Sequence, residues 1–255
     1  MRIRAMNVLK KLLGAAMLVP ALAMAAGAEL HLDSAPVSTE PANLQNGAKL
    51  FVNYCLNCHG ASYMRYNRLT EIGLTEEQIR DNLMFTADKV GEQMKIALRR
   101  DDGKAWFGAA PPDLTVIARS RASEFGSGAD WLYTYLRQFY RDPSRPTGWN
   151  NVVFENVGMP HVLWELQGEQ HAVVSEVDDG HGGKKKEIEL EVVEPGRLTA
   201  EEYDQAVADL VSFVVWMGEP VAEKRKTIGA FVLAGLTILF GLSFALKKAY
   251  WQDIH

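Results

Sequence analysis

The segment Cys55-Leu56-Asn57-Cys58-His59 constrains this chain more than any other feature of its sequence. Two thiols at this spacing, followed by an imidazole, are typical of c-type haem attachment. The thiols add to the two vinyl groups of one haem, and the imidazole binds its iron. The segment therefore predicts one covalently bound haem c, attached through Cys55 and Cys58, with His59 as an axial iron ligand.

Two other uses of such a segment are less consistent with the sequence. A thioredoxin-like redox pair needs no histidine and usually follows a strand, whereas the residues before Cys55 have a helical pattern. A zinc site would need further Cys or His residues at ligand spacing, and none is nearby. Cys55 and Cys58 are the only cysteines, so a disulfide framework is also excluded.

The first 28 residues have the pattern of a cleaved secretory signal peptide. Four basic residues precede or begin an apolar run at 12–26, which is short for a membrane span, and Ala26-Gly27-Ala28 fits a cleavage site. An uncleaved N-terminal anchor is the alternative. Export agrees with haem attachment on the far side of a membrane, so we expect an extracytoplasmic haem domain at residues 29–222.

A second apolar segment lies near the C-terminus. Residues 227–246 are twenty residues without a charge, which matches one membrane-spanning helix. A buried core helix is the alternative, but the run has no polar face. Together with the export signal, this segment predicts a single-pass protein of a bacterial inner membrane. Its haem domain would lie in the periplasm, and residues 247–255 would form a short cytoplasmic tail.

The charge balance limits the partners. The formal net charge is −5, and removal of residues 1–28 leaves 23 basic against 32 acidic residues, a charge of −9. Nucleic acid is therefore not an expected partner, since phosphate binding requires basic patches. The acidic surface either steers a basic protein partner or only maintains solubility.

The periodicity of apolar residues predicts a mainly α fold. The first helix of the haem domain is expected to begin near Asn43 and to run into Cys55, with Gly47 at a point where a second element could approach closely. Residues 100–112 are expected to form a loop, and residues 171–193 a β-hairpin. Further helices are predicted at 75–85, 90–98, 114–121, 131–140 and 199–217.

The second axial position decides between electron transfer and ligand chemistry, because a thioether closes the iron site and raises its potential. Met159 is the best candidate, since it lies between Gly158 and Pro160 in an irregular loop far from the haem motif. His161 is the main alternative. Other methionines on predicted helices are more typical of core packing.

Several further segments, taken in order with the C-terminal apolar run, give the chain a resemblance to the cytochrome c1 family. This family comprises the membrane-anchored haem subunits of the cytochrome bc1 complex, the ubiquinol:cytochrome c reductase. The segments that carry the resemblance are Tyr66-Asn67-Arg68-Leu69, Pro111-Pro112-Asp113-Leu114, Arg119-Ser120-Arg121, Val157-Gly158-Met159-Pro160 and Trp216-Met217-Gly218-Glu219-Pro220.

The resemblance implies a cytochrome c-like core that pairs the helix before Cys55 with helix 200–217, enlarged by insertions before Met159. It implies Met159 as axial ligand, Pro111 and Pro112 against the haem, and Arg121 facing a haem propionate. The iron would have His59 and Met159 as its two ligands.

The resemblance also implies a function in one-electron transfer. The Rieske iron–sulfur protein would be the donor and a cytochrome c the acceptor, with cytochrome b as a further partner in a dimeric complex. We expect no general acid or base in this chain. The alternatives are a cytochrome subunit of a terminal oxidase or nitric oxide reductase, and a haem enzyme or sensor with an open iron site.

Overall fold

The computed structural model describes residues 30–178 and 183–252, without the side chains of residues 185 and 186. The predicted signal peptide, the tip of the predicted hairpin and the last three residues of the predicted tail lie outside the described residues. From Leu32 onward, the chain forms one compact unit.

The predicted mainly α fold is confirmed. The helices are α1 (Pro41–Leu50), α2 (Glu76–Asn82), α3 (Arg100–Phe107), α4 (Ile117–Ser120), α5 (Gly128–Arg137), α6 (Trp164–Gln167), α7 (Ala200–Gly218) and α8 (Ala222–Tyr250), with a π-helical turn at Phe51–Cys55 and a 3-10 helix at Tyr66–Ile72. The strands form three antiparallel pairs, β1 (Ala61–Arg65) with β2 (Gln93–Met94), β3 (Phe139–Arg141) with β4 (Trp149–Asn151), and β5 (Gly168–Asp178) with β6 (Lys184–Pro195).

The core is the predicted pair of helices, α1 against α7. The backbones meet at Gly47, where an added Cβ would overlap the carbonyl oxygen of Asp209 and lie 2.7 Å from the Cβ of Phe213. One turn further on, the rings of Phe51 and Phe213 pack with their centroids 5.5 Å apart. This packing places the π-helical turn, and therefore Cys55, beside α7.

Helix α1 begins two residues earlier than expected. Pro41 occupies its first turn, after Glu40 in extended conformation. A proline is favoured there because its φ is already helical and the missing N–H would have no partner. Asn43, where the helix was expected to begin, lies inside it and donates from Nδ2 to Asp209 Oδ1 at 2.7 Å, so it helps to join α1 to α7.

The segment before α1 has no regular structure, and side chains of α5 hold it in place. The backbone N–H of Asp33 donates to Thr134 Oγ1 and that of Ala35 to Asp130 Oδ1, both at 2.8 Å. Asp130 also forms a capping box with Ser127. Burial alone would raise the pKa of Asp130, but the hydrogen bonds from Ser127 and Ala35 outweigh it and hold this pKa below its usual value.

Two local predictions between the haem motif and Met159 are wrong. Residues 90–98 contain no helix; Gln93 and Met94 form β2, and the fully buried Met94 packs in the core. Residues 100–107 form helix α3 instead of the expected loop. This helix ends at Gly108, which has a φ of +78°. The chain between the haem motif and Met159 consists mostly of short elements.

The predicted hairpin and both C-terminal helices are confirmed as elements. The hairpin β5–β6 is longer than expected and is joined at its base by an ion pair between Arg141 of β3 and Glu169. Helix α7 begins with the predicted Thr199 capping box. Helix α8 has 29 residues, a mean hydropathy of 2.2 over its most apolar 18 residues, and none of those residues buried. At 1.5 Å per residue it is about 43 Å long, which exceeds the roughly 30 Å of a bilayer's hydrocarbon core.

Candidate haem site

One cavity of about 310 Å³ brings together every residue predicted for the site. Side chains of α5, α7 and the loop before α6 complete its largely apolar wall. The predicted residues that line it are Cys55, Cys58, His59, Pro111, Pro112, Arg121 and Met159.

The haem motif forms a tight turn at the end of the π-helical segment. The N–H groups of Cys58 and His59 both donate to the carbonyl of Cys55, at 3.1 and 2.9 Å. This turn brings both thiols and the imidazole to the wall of the same cavity. Burial, with a smaller contribution from Cys58, raises the pKa of the Cys55 thiol to about 12. Burial also raises the pKa of Cys58, so both thiols are neutral at pH 7.

His59 is held by the segment that contains the two prolines. Its Nδ1 lies 2.7 Å from the carbonyl oxygen of Pro112. A carbonyl can only accept, so Nδ1 carries the proton and Nε2 keeps its lone pair for a metal. Burial lowers the pKa of His59 and outweighs the opposite effects of Pro112 and Asp113, which keeps the ring neutral.

The proline segment is itself attached to the haem motif. Leu114 N–H donates to the carbonyl of Gly60 at 2.8 Å, and Ser62 N–H donates to Asp113 Oδ2 at 2.7 Å. Pro111 and Pro112 therefore line the cavity on the same side as His59. The role of the Pro112 carbonyl in orienting His59 was not predicted, because nothing in the sequence indicates which residue a backbone oxygen faces.

Met159 reaches the cavity from the loop before α6. A Cβ on Gly158 would lie 2.6 Å from the carbonyl oxygen of Phe107, so only glycine lets the loop pass α3 at this point. The hydroxyl of Tyr135, on α5, donates to Met159 Sδ at 3.4 Å. Neither contact was predicted from the sequence.

Two buried asparagines organise the same loop. Asn151 Oδ1 accepts from the N–H groups of Val153 and Phe154, at 2.9 and 3.1 Å. Asn150 Oδ1 accepts from the N–H of Asn156 at 2.8 Å. Their amide side chains replace the hydrogen bonds that a helix or a strand would provide. A sequence signal did exist, since asparagine side chains often form such bonds to nearby backbone groups and two asparagines are adjacent here.

His161, the alternative ligand, is not among the residues that line the cavity. It is 2% exposed and stacks on Phe139, with ring centroids 4.8 Å apart and an interplanar angle of 5°. Trp149 packs against it edge-on. Burial lowers the pKa of His161 to about 4, so it is a neutral core residue at pH 7.

Arg121 brings a positive charge to the cavity wall. Its guanidinium carbon lies 4.3 Å from the centroid of the Trp131 ring and 5.7 Å from that of Phe154. Trp131 in turn stacks on Tyr135 at 4.7 Å. The cation–π contacts hold the guanidinium at an apolar wall, where a bound anion such as a propionate would meet little competition from water.

The donor set fits a c-type haem. Two neutral thiols, an imidazole whose tautomer leaves Nε2 free, and a thioether line one apolar cavity together with a guanidinium. A cluster of three or more His, Cys, Asp or Glu residues that could bind a metal ion is not found in the described part of the chain. The residues that line the cavity therefore fit a covalently bound haem.

Comparisons with known proteins identify the family of the chain. The sequence model of the Cytochrome C1 family matches residues 34–254. A protein of Nitrosomonas europaea named Ammonia monooxygenase gamma subunit is 48% identical over 98% of this chain and 100% of its own. Cytochrome c1 of Allochromatium vinosum is 45% identical over 94% and 96%, and cytochrome c1 of Rhodospirillum rubrum is 28% identical over 83% and 81%.

Proposed function

The chain belongs to the cytochrome c1 family, and we propose that the residues of its cavity bind and ligate the haem as follows. Members of this family are haem electron-carrier subunits of the cytochrome bc1 complex, and this chain is one of them, with one covalently bound haem c. Cys55 and Cys58 would attach the haem, and His59 and Met159 would ligate its iron. The observation that supports this best is that all four line one cavity.

The bound haem supplies one-electron chemistry, and the protein supplies its environment. Pro112 orients His59 through its carbonyl, and Pro111 extends the same wall. Arg121 neutralises a propionate. Met159 closes the site to external ligands and favours the reduced state, because a thioether is a soft, neutral donor.

We further propose the partners and the orientation. Cytochrome b and the Rieske iron–sulfur protein are the neighbouring subunits in a dimeric complex, the Rieske protein is the electron donor, and a cytochrome c is the acceptor. Helix α8 anchors the chain in a bacterial inner membrane, with the haem domain in the periplasm. The exposed apolar surface of α8 and the acidic balance of the haem domain support this arrangement.

A test of the ligand set uses binding of carbon monoxide to the reduced protein. The unaltered full-length chain should not bind it, whereas Met159→Leu, which keeps the side-chain volume but removes the sulfur, should bind one equivalent. Met217→Leu is the matched control and should behave like the unaltered chain, because Met217 is a buried methionine of α7 that is not among the residues lining the cavity. Stoichiometric binding by the unaltered chain would refute ligation by Met159.

A second candidate function rests on the name of one relative. The 48% identical protein of Nitrosomonas europaea is named as a subunit of an ammonia monooxygenase, and this observation makes association with such an enzyme the second candidate function. Purification of the protein in mild detergent, through a tag placed after His255, distinguishes the two candidate functions. Co-purifying b-type haems and a Rieske cluster, with quinol-dependent reduction of cytochrome c, support the bc1 assignment. Ammonia oxidation by the eluate without them, or co-purification with a terminal oxidase, would refute it.

A further inference from the structure

We propose that Tyr135 is a positioning residue for Met159 and that its hydroxyl raises the midpoint potential of the haem. The inference rests on the proposed role of Met159 as an axial ligand. It concerns a residue that the motifs of the sequence do not mark, and it follows from one contact, the hydrogen bond from Tyr135 Oη to Met159 Sδ at 3.4 Å.

The position of the hydroxyl is determined by its surroundings. The Tyr135 ring lies between Trp131, stacked at 4.7 Å with an interplanar angle of 14°, and Phe139, edge-on at 5.0 Å. The Tyr135 carbonyl accepts from Asn151 Nδ2 at 2.8 Å, which fixes the last turn of α5 to the end of β4, where the loop that carries Met159 begins. Ring and backbone are thus both held, so the hydroxyl is directed to the sulfur by packing.

The contact has two chemical consequences. A thioether sulfur has two lone pairs, so a hydrogen bond to one of them leaves the other for the iron and limits rotation of the Met159 side chain. A donated hydrogen bond also withdraws electron density from the sulfur. The weakened donor would lose more of its stabilisation of ferric iron than of ferrous iron, so the midpoint potential would rise. Hydrogen bonds next to a ligand tune metal sites in this way.

The test compares Tyr135→Phe with Tyr133→Phe in the full-length, haem-loaded chain in detergent. Tyr133 is a matched control because it is a buried tyrosine of the same helix that does not line the cavity, and its ring packs against Arg137. Tyr135→Phe keeps the ring and removes only the hydroxyl. Tyr135→Leu removes both the ring and the hydroxyl. Comparison of the two variants therefore separates the effect of the ring from that of the hydroxyl.

Redox titration is the main measurement. We expect Tyr135→Phe to lower the ratio of reduced to oxidised haem at a fixed potential about three- to fivefold, which is roughly 30–40 mV at 59 mV per tenfold change. Tyr135→Leu should shift the potential in the same direction, and Tyr133→Phe should leave it unchanged. The readout is taken on the haem-loaded fraction, so a lower yield of a variant does not affect it.

The long-wavelength sulfur-to-iron absorption band of the ferric protein provides the second measurement. It should be present in the unaltered chain and shifted or weakened in Tyr135→Phe. An unchanged potential and band in Tyr135→Phe would overturn the inference and leave Met159 as a ligand. A missing band in the unaltered chain, with carbon monoxide binding, would instead overturn ligation by Met159 and the inference with it.

Discussion

Replacement of Gly47 by alanine tests the contact on which the haem domain is built. Gly47 lies inside α1 at the point where this helix touches α7. An alanine Cβ there would overlap the Asp209 carbonyl oxygen and lie 2.7 Å from Phe213 Cβ. Carbon atoms in contact prefer about 3.5–4.0 Å, so the helices would have to separate by roughly 1 Å. A rigid pair of backbones cannot yield as a flexible side chain could.

The cost can be worked from two opposing effects. Overpacking of a well-packed core costs about 1–3 kcal/mol, and a backbone clash belongs at the upper end of that range. Alanine in a helix interior is favoured over glycine by about 1 kcal/mol. The net loss in the free energy of unfolding is therefore about 2 kcal/mol. For a domain of this size, we expect the midpoint of thermal unfolding to fall by roughly 4–8 °C.

The assay is thermal unfolding of the haem-loaded chain, followed by circular dichroism and by the haem absorbance. Gly91→Ala is the matched control, because Gly91 lies in an exposed turn and its added Cβ would meet nothing within 4 Å. It should change the free energy of unfolding by less than about 0.5 kcal/mol. If Gly47→Ala is as stable as the unaltered chain, the close approach of α1 and α7 does not limit stability and the reasoning fails.

Three further substitutions test the site and its supports. Gly158→Ala should displace the loop and increase carbon monoxide binding by the reduced protein, measured spectroscopically, while the attachment of the haem remains. Arg121→Gln should lower the midpoint potential in a redox titration, because a positive charge near the haem favours the reduced state. The control is Arg119→Gln, which removes the exposed partner of an ion pair and should leave the midpoint potential unchanged. The pKa of Asp130 is lower in the folded chain than in the unfolded chain. The ionised carboxylate therefore stabilises the folded chain above the unfolded pKa of about 4, and this stabilisation is lost as the pH falls through the folded-state pKa. Asp130→Asn should therefore be less stable at pH 6, and its deficit in thermal unfolding should shrink toward pH 3; a constant deficit would contradict this origin of the stability.

The elements that were predicted correctly contain their own local signals. The capping boxes at Thr75 and Thr199 define where α2 and α7 begin, because two backbone N–H groups are satisfied by side chains three residues apart. The uncharged run at 227–246 defines α8 by length alone. Such signals depend on neighbours in sequence, so they can be recognised without knowledge of the fold.

The wrong predictions concern segments whose structure depends on distant residues. Met94 joins β2 because β1 is available to pair with it, although its own neighbours have a helical pattern. Gly103 was interpreted as a loop residue, yet it lies inside α3. An added Cβ there would lie 2.7 Å from Pro111 Cδ, so the glycine serves the packing of the helix against the proline segment. A single sequence does not distinguish a glycine that breaks a helix from one that accommodates a neighbour.

The candidate site shows the same division. The proposed ligands and attachment residues could be named from motifs, but the groups that orient them in the structure could not. The Pro112 carbonyl acts through a backbone atom 53 residues from His59, and Tyr135 acts through a hydroxyl 24 residues from Met159. The relevant distances exist only in the folded chain.

The two sides of the cavity are held by different kinds of contact, and this difference bears on function. On the side of His59, the proposed ligand is bonded to the backbone of a segment that is itself bonded to the haem motif. On the side of Met159, the proposed ligand lies in a loop without regular structure, and side chains such as those of Asn150, Asn151 and Tyr135 provide many of its hydrogen bonds. Side-chain bonds can be altered one at a time without disturbing a helix or a strand. The strength of the sulfur ligand, and with it the potential of the haem, can therefore be adjusted on this side while the attachment and the fold stay unchanged.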